Sequence, residues 1–113
     1  MKENEIKVYT QMIEKFPENI GALNSYAWRM SELELNLEDA LEKAQKAVEL
    51  SADNPSSQAN IIDTEAEVLW KLKRFDAAIA TIERAIIIDG ENQYFKDQKE
   101  KFIQSKKETG QPV

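Results

Sequence analysis

A stretch of helix-forming residues occurs twice in the chain, and this repetition limits the folds that are available to it. Residues 39–50 read DALEKAQKAVEL, and residues 77–88 read AAIATIERAIII. Small residues return at matching places, so that Ala40 recurs as Ala78, an offset of 38 residues. Self-similarity with a period of roughly 20–50 residues is typical of folds in which one supersecondary unit stacks on the next. The repetition therefore predicts a stacked array.

About six helices are predicted by apolar stripes at helical spacing, separated by Pro, Gly and Asn or Asp. Helix-forming residue types are abundant, and no segment shows the two-residue alternation of a strand. The expected helices cover residues 3–15, 20–33, 36–51, 54–72, 74–90 and 91–106, and a disordered tail is expected over 108–113. The predicted fold class is all-α, a right-handed helical-repeat solenoid of antiparallel helix pairs.

Three local signals predict where helices begin and end. Asn36 is followed by Asp39 at the spacing of a capping box, in which each side chain accepts a hydrogen bond from the backbone of the other residue. Asn54 and Pro55 match a capping residue followed by proline at the first helical position. Gly90 is expected to end the fifth helix in the left-handed conformation.

Catalysis is disfavoured by the residue types that the chain lacks. There is no histidine and no cysteine, which excludes histidine-assisted nucleophilic catalysis, disulfides and most transition-metal sites. The three glycines are too scattered to form a phosphate-binding loop. We therefore expect no enzymatic activity, no cofactor and no metal.

Charge and hydropathy exclude two further classes of partner. The net charge of −6 and the pI near 4.8 disfavour binding to nucleic acid and to anionic membrane surfaces. No apolar run approaches the ~20 residues that span a bilayer, and residues 1–20 lack the apolar block of a signal peptide. The sequence does not decide whether the protein is located in the cytoplasm or in the periplasm.

Residues 20–52 and 59–90 resemble two tetratricopeptide repeats. The family motif reads Trp-x2-Leu-Gly-x2-Tyr, then Ala-x3-Phe, then Pro, in a helix–turn–helix of about 34 residues. The motif positions hold Leu23, Tyr26, Ala27, Met30, Ala40, Ala44, Ala47 and Ala52 in the first repeat and Ile62, Glu65, Ala66, Leu69, Ala78, Ile82, Ala85 and Gly90 in the second. The resemblance implies one domain over residues 1–107.

The two ends of the chain differ from full repeats. Residues 1–17 resemble the second half of an earlier repeat, with Tyr9 in the aromatic position and Pro17 in the terminal proline position. Residues 91–106 resemble a capping helix with a polar outer face. We therefore expect the chain to be the C-terminal part of a longer protein, and the alternative is a genuine short protein with an adapted first helix.

Helix 1 is the expected site of self-association. A missing partner helix would leave part of its apolar face uncovered, and contiguous apolar exposure favours association. The residues concerned are Ile6, Tyr9, Met12 and Ile13. A homodimer through helix 1 is the simplest closed arrangement.

In tetratricopeptide arrays the first helices of successive repeats line a concave face, which binds extended peptides or partner helices. The resemblance implies a groove lined by Asn24, Ser25, Trp28, Asn60, Asp63, Thr64, Glu67, Trp70 and Lys71. Trp28 and Trp70 stand beside the small and aromatic motif positions, which favours an anchoring role, whereas burial between helix layers is the alternative. For the charged residues the alternative is a solvated helix face.

The expected partner is a protein or peptide segment with an apolar anchor and a basic flank. Indole rings accept apolar or cationic groups, and Asp63 with Glu67 would make the rim acidic. Clamping of a partner's C-terminal carboxylate, a mode known in the family, is rejected. Trp28, Asp63 and Glu67 stand where basic or amide residues would be required, and a negative groove repels a carboxylate.

Two functions remain open, a peptide- or protein-binding module and a structural spacer or self-association domain. The turn phrase at 72–79 and short helix phrases at 26–28 and 63–66 also resemble repeat regions attached to bacterial thioredoxin-like proteins. That resemblance implies no redox chemistry in a chain without cysteine.

Glu65 is unusual because it occupies an apolar motif position. A buried, unpaired carboxylate is unfavourable by several kcal/mol, so Glu65 must be paired, protonated or turned toward water. Tyr26 fills the equivalent position one repeat earlier, and its hydroxyl could donate to Glu65. A local structural hydrogen bond is favoured for Glu65, and a functional role is the alternative.

Overall fold

The computed structural model describes residues 2–110, and this part of the chain is helical with no strand. Its six helices are α1 (Lys2–Lys15), α2 (Ile20–Leu33), α3 (Leu37–Leu50), α4 (Pro55–Lys71), α5 (Phe75–Ile88) and α6 (Gln93–Thr109). The predicted all-α class and the number of helices are confirmed. The predicted bounds of α2 agree with the structure, and those of the other helices differ by a few residues.

Two helical hairpins form the body of the fold. α2 packs against α3, and α4 packs against α5. The hairpins stack because α4 also contacts α2 and α3, while α1 lies against α2 and α6 lies against α5. α4 is therefore the central helix, and every residue from 61 to 69 is buried.

Alanines at the helix contacts let the hairpins pack closely. Seven of them have no exposed surface, namely Ala27, Ala40, Ala44, Ala47, Ala66, Ala78 and Ala85. Small side chains let two helix backbones approach until the side-chain ridges of one helix fit between those of the other. Larger apolar side chains complete the core, among them Leu23, Met30, Ile62, Val68 and Ile82.

Asn54 and Asn36 show that a polar residue before a helix is not always its cap. Asn54 caps α4 as predicted, since its side chain accepts a hydrogen bond from the Ser57 backbone N–H at 3.2 Å. Asn36 makes no side-chain cap on α3, so the predicted capping box is wrong. Its backbone is left-handed, with φ of 51°, and its amide nitrogen lies 3.7 Å from the Met30 sulfur instead. Asp39, the other expected member, accepts a hydrogen bond from Tyr26.

The left-handed conformation occurs at Gly110 and not at Gly90, where the sequence predicted it. Gly90 does not have a positive φ, so its predicted role as a left-handed cap of α5 is wrong, and Asp89 ends that helix with φ of −134°. Gly110 takes the left-handed conformation, with φ of 71°, and its N–H caps the carbonyl groups at the end of α6. The tail was predicted to begin at residue 108, but Glu108 and Thr109 belong to α6. Residues 111–113 of that tail lie outside the described residues.

α1 is the least tightly packed helix, with no buried residue. Ile6, Tyr9 and Ile13 pack partly against the core, and the Tyr9 and Tyr26 rings meet edge to face with centroids 6.1 Å apart. Met12 is exposed, as the sequence suggested. α1 thus covers one side of α2 and leaves its own outer side open to solvent.

Candidate functional site

The nine predicted groove residues do not form one open surface. On α4, Asp63, Thr64 and Glu67 are only 6%, 3% and 8% exposed. Asp63 and Glu67 lie beneath α6, which was predicted to be a capping helix. They are therefore not a solvated acidic rim in this arrangement, and their carboxylates interact within the chain.

A polar cluster joins α4 to α6. The Gln98 side-chain amide donates hydrogen bonds to Asp63 Oδ1 at 3.0 Å and to Glu67 Oε1 at 2.9 Å. Lys101 Nζ donates to the same Glu67 oxygen at 2.9 Å. These four residues, Asp63, Glu67, Gln98 and Lys101, are called the α4–α6 polar cluster below. Because Gln98 is itself buried, the cluster is a buried contact between helices, with the Lys101 side chain at its partly exposed edge.

Burial changes the ionisation of this cluster. The pKa of Asp63 is raised from 3.8 to about 6, first by burial and then by the neighbouring charge of Glu67. Hydrogen bonds from Gln98 and Tyr94 and the charge of Lys101 act in the opposite direction and do not cancel the burial. Burial and the two carboxylates also raise the pKa of the Tyr94 hydroxyl to about 12.

Trp70 lies at the junction of α4 and α6. Its indole N–H donates to the Ser105 hydroxyl at 2.8 Å, and its ring centroid lies 6.1 Å from that of Phe102. The ammonium groups of Lys101 and Lys71 lie 4.0 Å and 5.2 Å from the ring centroid. The side chain is half-buried. Much of this ring is thus in contact with α6 and with lysines of its own chain.

A cavity of about 230 Å³ opens beside Trp70 and Lys71. It is lined by Glu34, Trp70, Lys71, Lys73, Phe75, Ser105, Glu108 and Thr109. The lining combines the aromatic rings of Trp70 and Phe75 with acidic and basic side chains. Two of the predicted groove residues therefore share a depression, at the end of α4 rather than along its length.

The predicted residues on α2 lie on two different sides of that helix. Asn24 and Trp28 are half-buried and four residues apart, so they share a helix face. The Asn24 Oδ1 atom is buried and has no hydrogen-bond partner within residues 2–110. Ser25 is exposed and lines a separate depression with Tyr9 and Met12, on the α1 side.

Asn60 is exposed on the first turns of α4. Its amide nitrogen lies 3.4 Å from the backbone carbonyl of Ser56, one turn earlier on the same helix. The residue therefore keeps its side chain close to its own helix and stays accessible to solvent.

Sequence reasoning missed the α6 side of the site, which consists of Gln98, Lys101 and Ser105. The available signal was the spacing of Phe95 and Phe102, which places two aromatic rings two helical turns apart on one face. Gln98 lies on the same face, between the rings. A polar residue at a position expected to be buried indicates a polar partner on the facing helix.

Glu65 is paired, though not with the expected donor. The residue is 6% exposed, and its carboxylate lies 3.7 Å from the Arg84 guanidinium. Burial raises the pKa of Glu65, and the charge of Arg84 and a hydrogen bond from Gln45 oppose that rise. Tyr26 instead donates its hydroxyl proton to Asp39 at 2.6 Å, so the expected Tyr26–Glu65 contact is wrong.

A scan against protein-family models finds no match for the chain, and a search of curated proteins finds no significant match either. Within residues 2–110 no group of three or more Asp or Glu side chains is placed to hold a metal ion. In the same part of the chain no helix is long and apolar enough to cross a membrane.

Proposed function

We propose that the chain is a non-catalytic binding module of the tetratricopeptide type, in which a concave face lined by α2, α4 and α6 takes a segment of another protein. The sequence repeat supports this proposal, and so do the buried alanines at its motif positions, such as Ala27 with Ala40 and Ala66 with Ala78. Packing of α4 on both α2 and α3 is the contact expected where one helix pair of a right-handed solenoid stacks on the next.

The observation that carries the proposal is the unpaired Asn24 carbonyl oxygen beside the half-buried Trp28 ring. A buried acceptor without a donor is unfavourable by about 1–3 kcal/mol, so such a group favours whatever brings it an N–H. An indole one helical turn away supplies a large apolar contact. A peptide that lays an apolar side chain on Trp28 gains the apolar contact. Its backbone N–H reaches the Asn24 oxygen once the Asn24 side chain turns outward, because that oxygen has no accessible surface in the free chain.

On the α2 side of this face the charge favours a basic flank on the partner. Glu32 lies one turn beyond Trp28 and is exposed, and within residues 2–110 its only ion pair is with the Arg29 guanidinium, 3.3 Å away. The whole chain carries a net charge of −6. Long-range attraction therefore increases the association rate of a basic segment more than it increases the final affinity.

Selection of peptides from a phage-displayed random library on the full chain tests this proposal. We expect enriched peptides to combine an apolar residue with Lys or Arg, and to bind with modest affinity because the peptide loses conformational freedom. Trp28→Ala is expected to weaken their binding by about 30-fold or more, the loss typical of an aromatic hot spot. Fluorescence anisotropy of the resynthesised peptides gives the dissociation constants.

Ile87→Ala is the matched control, because Ile87 is 83% exposed on α5 and lies outside the proposed face. It should leave the same dissociation constants unchanged. Peptides that bind Trp28→Ala as tightly as they bind the unaltered chain would remove the α2 face from the proposal. Failure to enrich any peptide would favour a structural role.

A second candidate function is self-association through α1, which is favoured by an exposed apolar stripe. Val8 and Met12 on α1, and Phe16 directly after its last residue, are 57%, 44% and 52% exposed and follow one another every four residues. Residues at this spacing lie on one side of a helix. The sequence predicted a homodimer through Ile6, Tyr9, Met12 and Ile13, of which only Met12 belongs to this stripe. The homodimer proposed here therefore uses the outer side of α1, where two copies of the stripe cover each other.

Met12→Glu is expected to shift any dimer to monomer, because Met12 is in the middle of the stripe and a carboxylate there is desolvated in the dimer. Sedimentation velocity at micromolar concentration measures the change. Ile87→Glu introduces the same charge at an exposed apolar position on α5 and should leave the mass unchanged. A monomer at every concentration before any substitution would contradict this second function.

A further inference from the structure

α6 buries fewer residues than any of the helices α2 to α5. Only Phe95, Gln98 and Phe102 are buried among its 17 residues. It carries five lysines against three acidic residues, whereas the whole chain has a net charge of −6. α6 is thus a basic helix on an acidic body, and two aromatic rings provide most of its apolar contact.

α6 also makes several polar and ionic contacts. On the α4 side they are the α4–α6 polar cluster and the Trp70–Ser105 hydrogen bond. On the α5 side Lys99 pairs with Glu83 at 3.1 Å, and Lys106 pairs with Asp76. Ion pairs at partly exposed positions are weakened by salt, so α6 is held less firmly than the helices of the apolar core.

The α4 surface beneath α6 is specific for a donor-bearing helix. Asp63 and Glu67 present carboxylate oxygens that need hydrogen-bond donors when they are covered, and Gln98 and Lys101 supply them. An apolar helix placed there would leave two carboxylates unpaired. The surface therefore discriminates between helices by charge and not only by shape.

From these contacts we propose that the α4 surface beneath α6 is a helix-binding site, that α6 is its occupant within the chain, and that a basic helix of another molecule exchanges with it. The partner has the chemistry of α6. It is amphipathic, carries aromatic residues seven positions apart, and presents Gln and Lys on that face at the positions of Gln98 and Lys101. This site is separate from the Asn24–Trp28 face on α2.

The partner helix can replace α6 because detaching α6 requires less free energy than unfolding the whole chain. Detaching α6 exposes Phe95 and Phe102 and breaks the polar contacts, but it leaves the α2–α5 core intact. Local openings of this kind have a smaller free energy than global unfolding. A covalently attached α6 has the advantage of a high effective concentration, so a partner in solution competes only weakly until α6 is loosened.

A synthetic peptide of residues 91–110 with a fluorescent label is the probe, and the full chain is the target. Lys101→Glu in the chain places a carboxylate beside Glu67 and loosens the attached α6, whereas the peptide keeps its lysine. We expect the peptide to bind the Lys101→Glu chain at least about 10-fold more tightly than the unaltered chain. A peptide that itself carries Lys101→Glu should not bind.

Lys96→Glu is the matched control, because Lys96 is an exposed residue of the same helix and the substitution makes the same change in net charge. It should leave peptide affinity at the value of the unaltered chain. Equal affinities for the Lys101→Glu and Lys96→Glu chains would overturn the proposal, because net charge alone would then explain any binding.

Hydrogen–deuterium exchange of the unaltered chain tests the proposal without any substitution. Amides of α6 are expected to exchange at least about 10-fold faster than those of residues 61–69, and more so as salt is added. Equal protection of α6 and α4 at every salt concentration would show that α6 opens only with the whole fold. Neither the peptide experiment nor the exchange experiment depends on Trp28. A negative result for the α4–α6 site therefore does not contradict the proposed binding face on α2, and the reverse also holds.

Discussion

Phe102→Ala is expected to lower the free energy of unfolding of the α4–α6 region by about 3–5 kcal/mol, the usual range for removing a fully buried aromatic ring. Phe102 has no exposed surface, and its ring lies 6.1 Å from that of Trp70. Removing it leaves a cavity between α6 and the body of the fold, and it takes away one of only two aromatic anchors that α6 has.

Urea titration followed by Trp70 emission measures the loss, in a Trp28→Phe background that leaves a single indole. If α6 opens before the core unfolds, Phe102→Ala releases it even without urea. Emission then shifts to longer wavelength, and helical circular dichroism falls, because an isolated helix of this length is marginal in water. The exposed Ile87 provides the control, since Ile87→Ala should change the stability by less than about 0.5 kcal/mol. A loss below about 1 kcal/mol for Phe102→Ala would mean that the ring is not an anchor.

The helices were predictable because their signals are local. Apolar residues every three or four positions and the Asn54–Pro55 cap depend only on neighbouring residues, and they predicted α2 and α4 closely. Asn36 and Gly90 were misjudged because several conformations suit each of them, and contacts elsewhere decide among these. For Asn36 the deciding contact is Met30, on the preceding helix.

The candidate site was less predictable because its carboxylates are satisfied across a long sequence separation. Asp63 and Glu67 stand four residues apart, which from sequence alone is also the pattern of a solvated stripe. Whether they are exposed depends on where α6 docks, and their partners Gln98 and Lys101 are more than 30 residues away. Local periodicity identifies the helix face of each residue but not the helix that covers it.

The stability of the fold is expected to fall as pH rises through the range in which Asp63 ionises. Its pKa is about 6 in the folded chain, against an ordinary value of 3.8. Between these values the folded state binds a proton more tightly than the unfolded state, so raising the pH favours unfolding. A pKa shift of about two units corresponds to a decrease of about 3 kcal/mol in the free energy of unfolding, and this decrease is complete above pH ~6. The pKa of Glu65 is also raised, so ionisation of Glu65 likewise lowers the stability of the fold as pH rises.

Asp63→Asn separates the contribution of Asp63 from that of Glu65. Asparagine keeps an acceptor for Gln98 and Tyr94, removes the repulsion with Glu67 and gives up the attraction to Lys101. Because burial is the largest influence on Asp63, we expect the variant to be about 1–3 kcal/mol more stable than the unaltered chain at pH ~7.5 and nearly equal at pH ~4.

Urea titrations at the two pH values measure this difference, and Asp53→Asn makes the same chemical change at an exposed loop position as a control. Asp53→Asn should leave the pH dependence of the unaltered chain in place. If Asp63→Asn is instead less stable at the higher pH, the contacts of the ionised carboxylate with Gln98 and Lys101 outweigh its burial. The cluster would then hold α6 most firmly when Asp63 is charged, and α6 would loosen as pH falls.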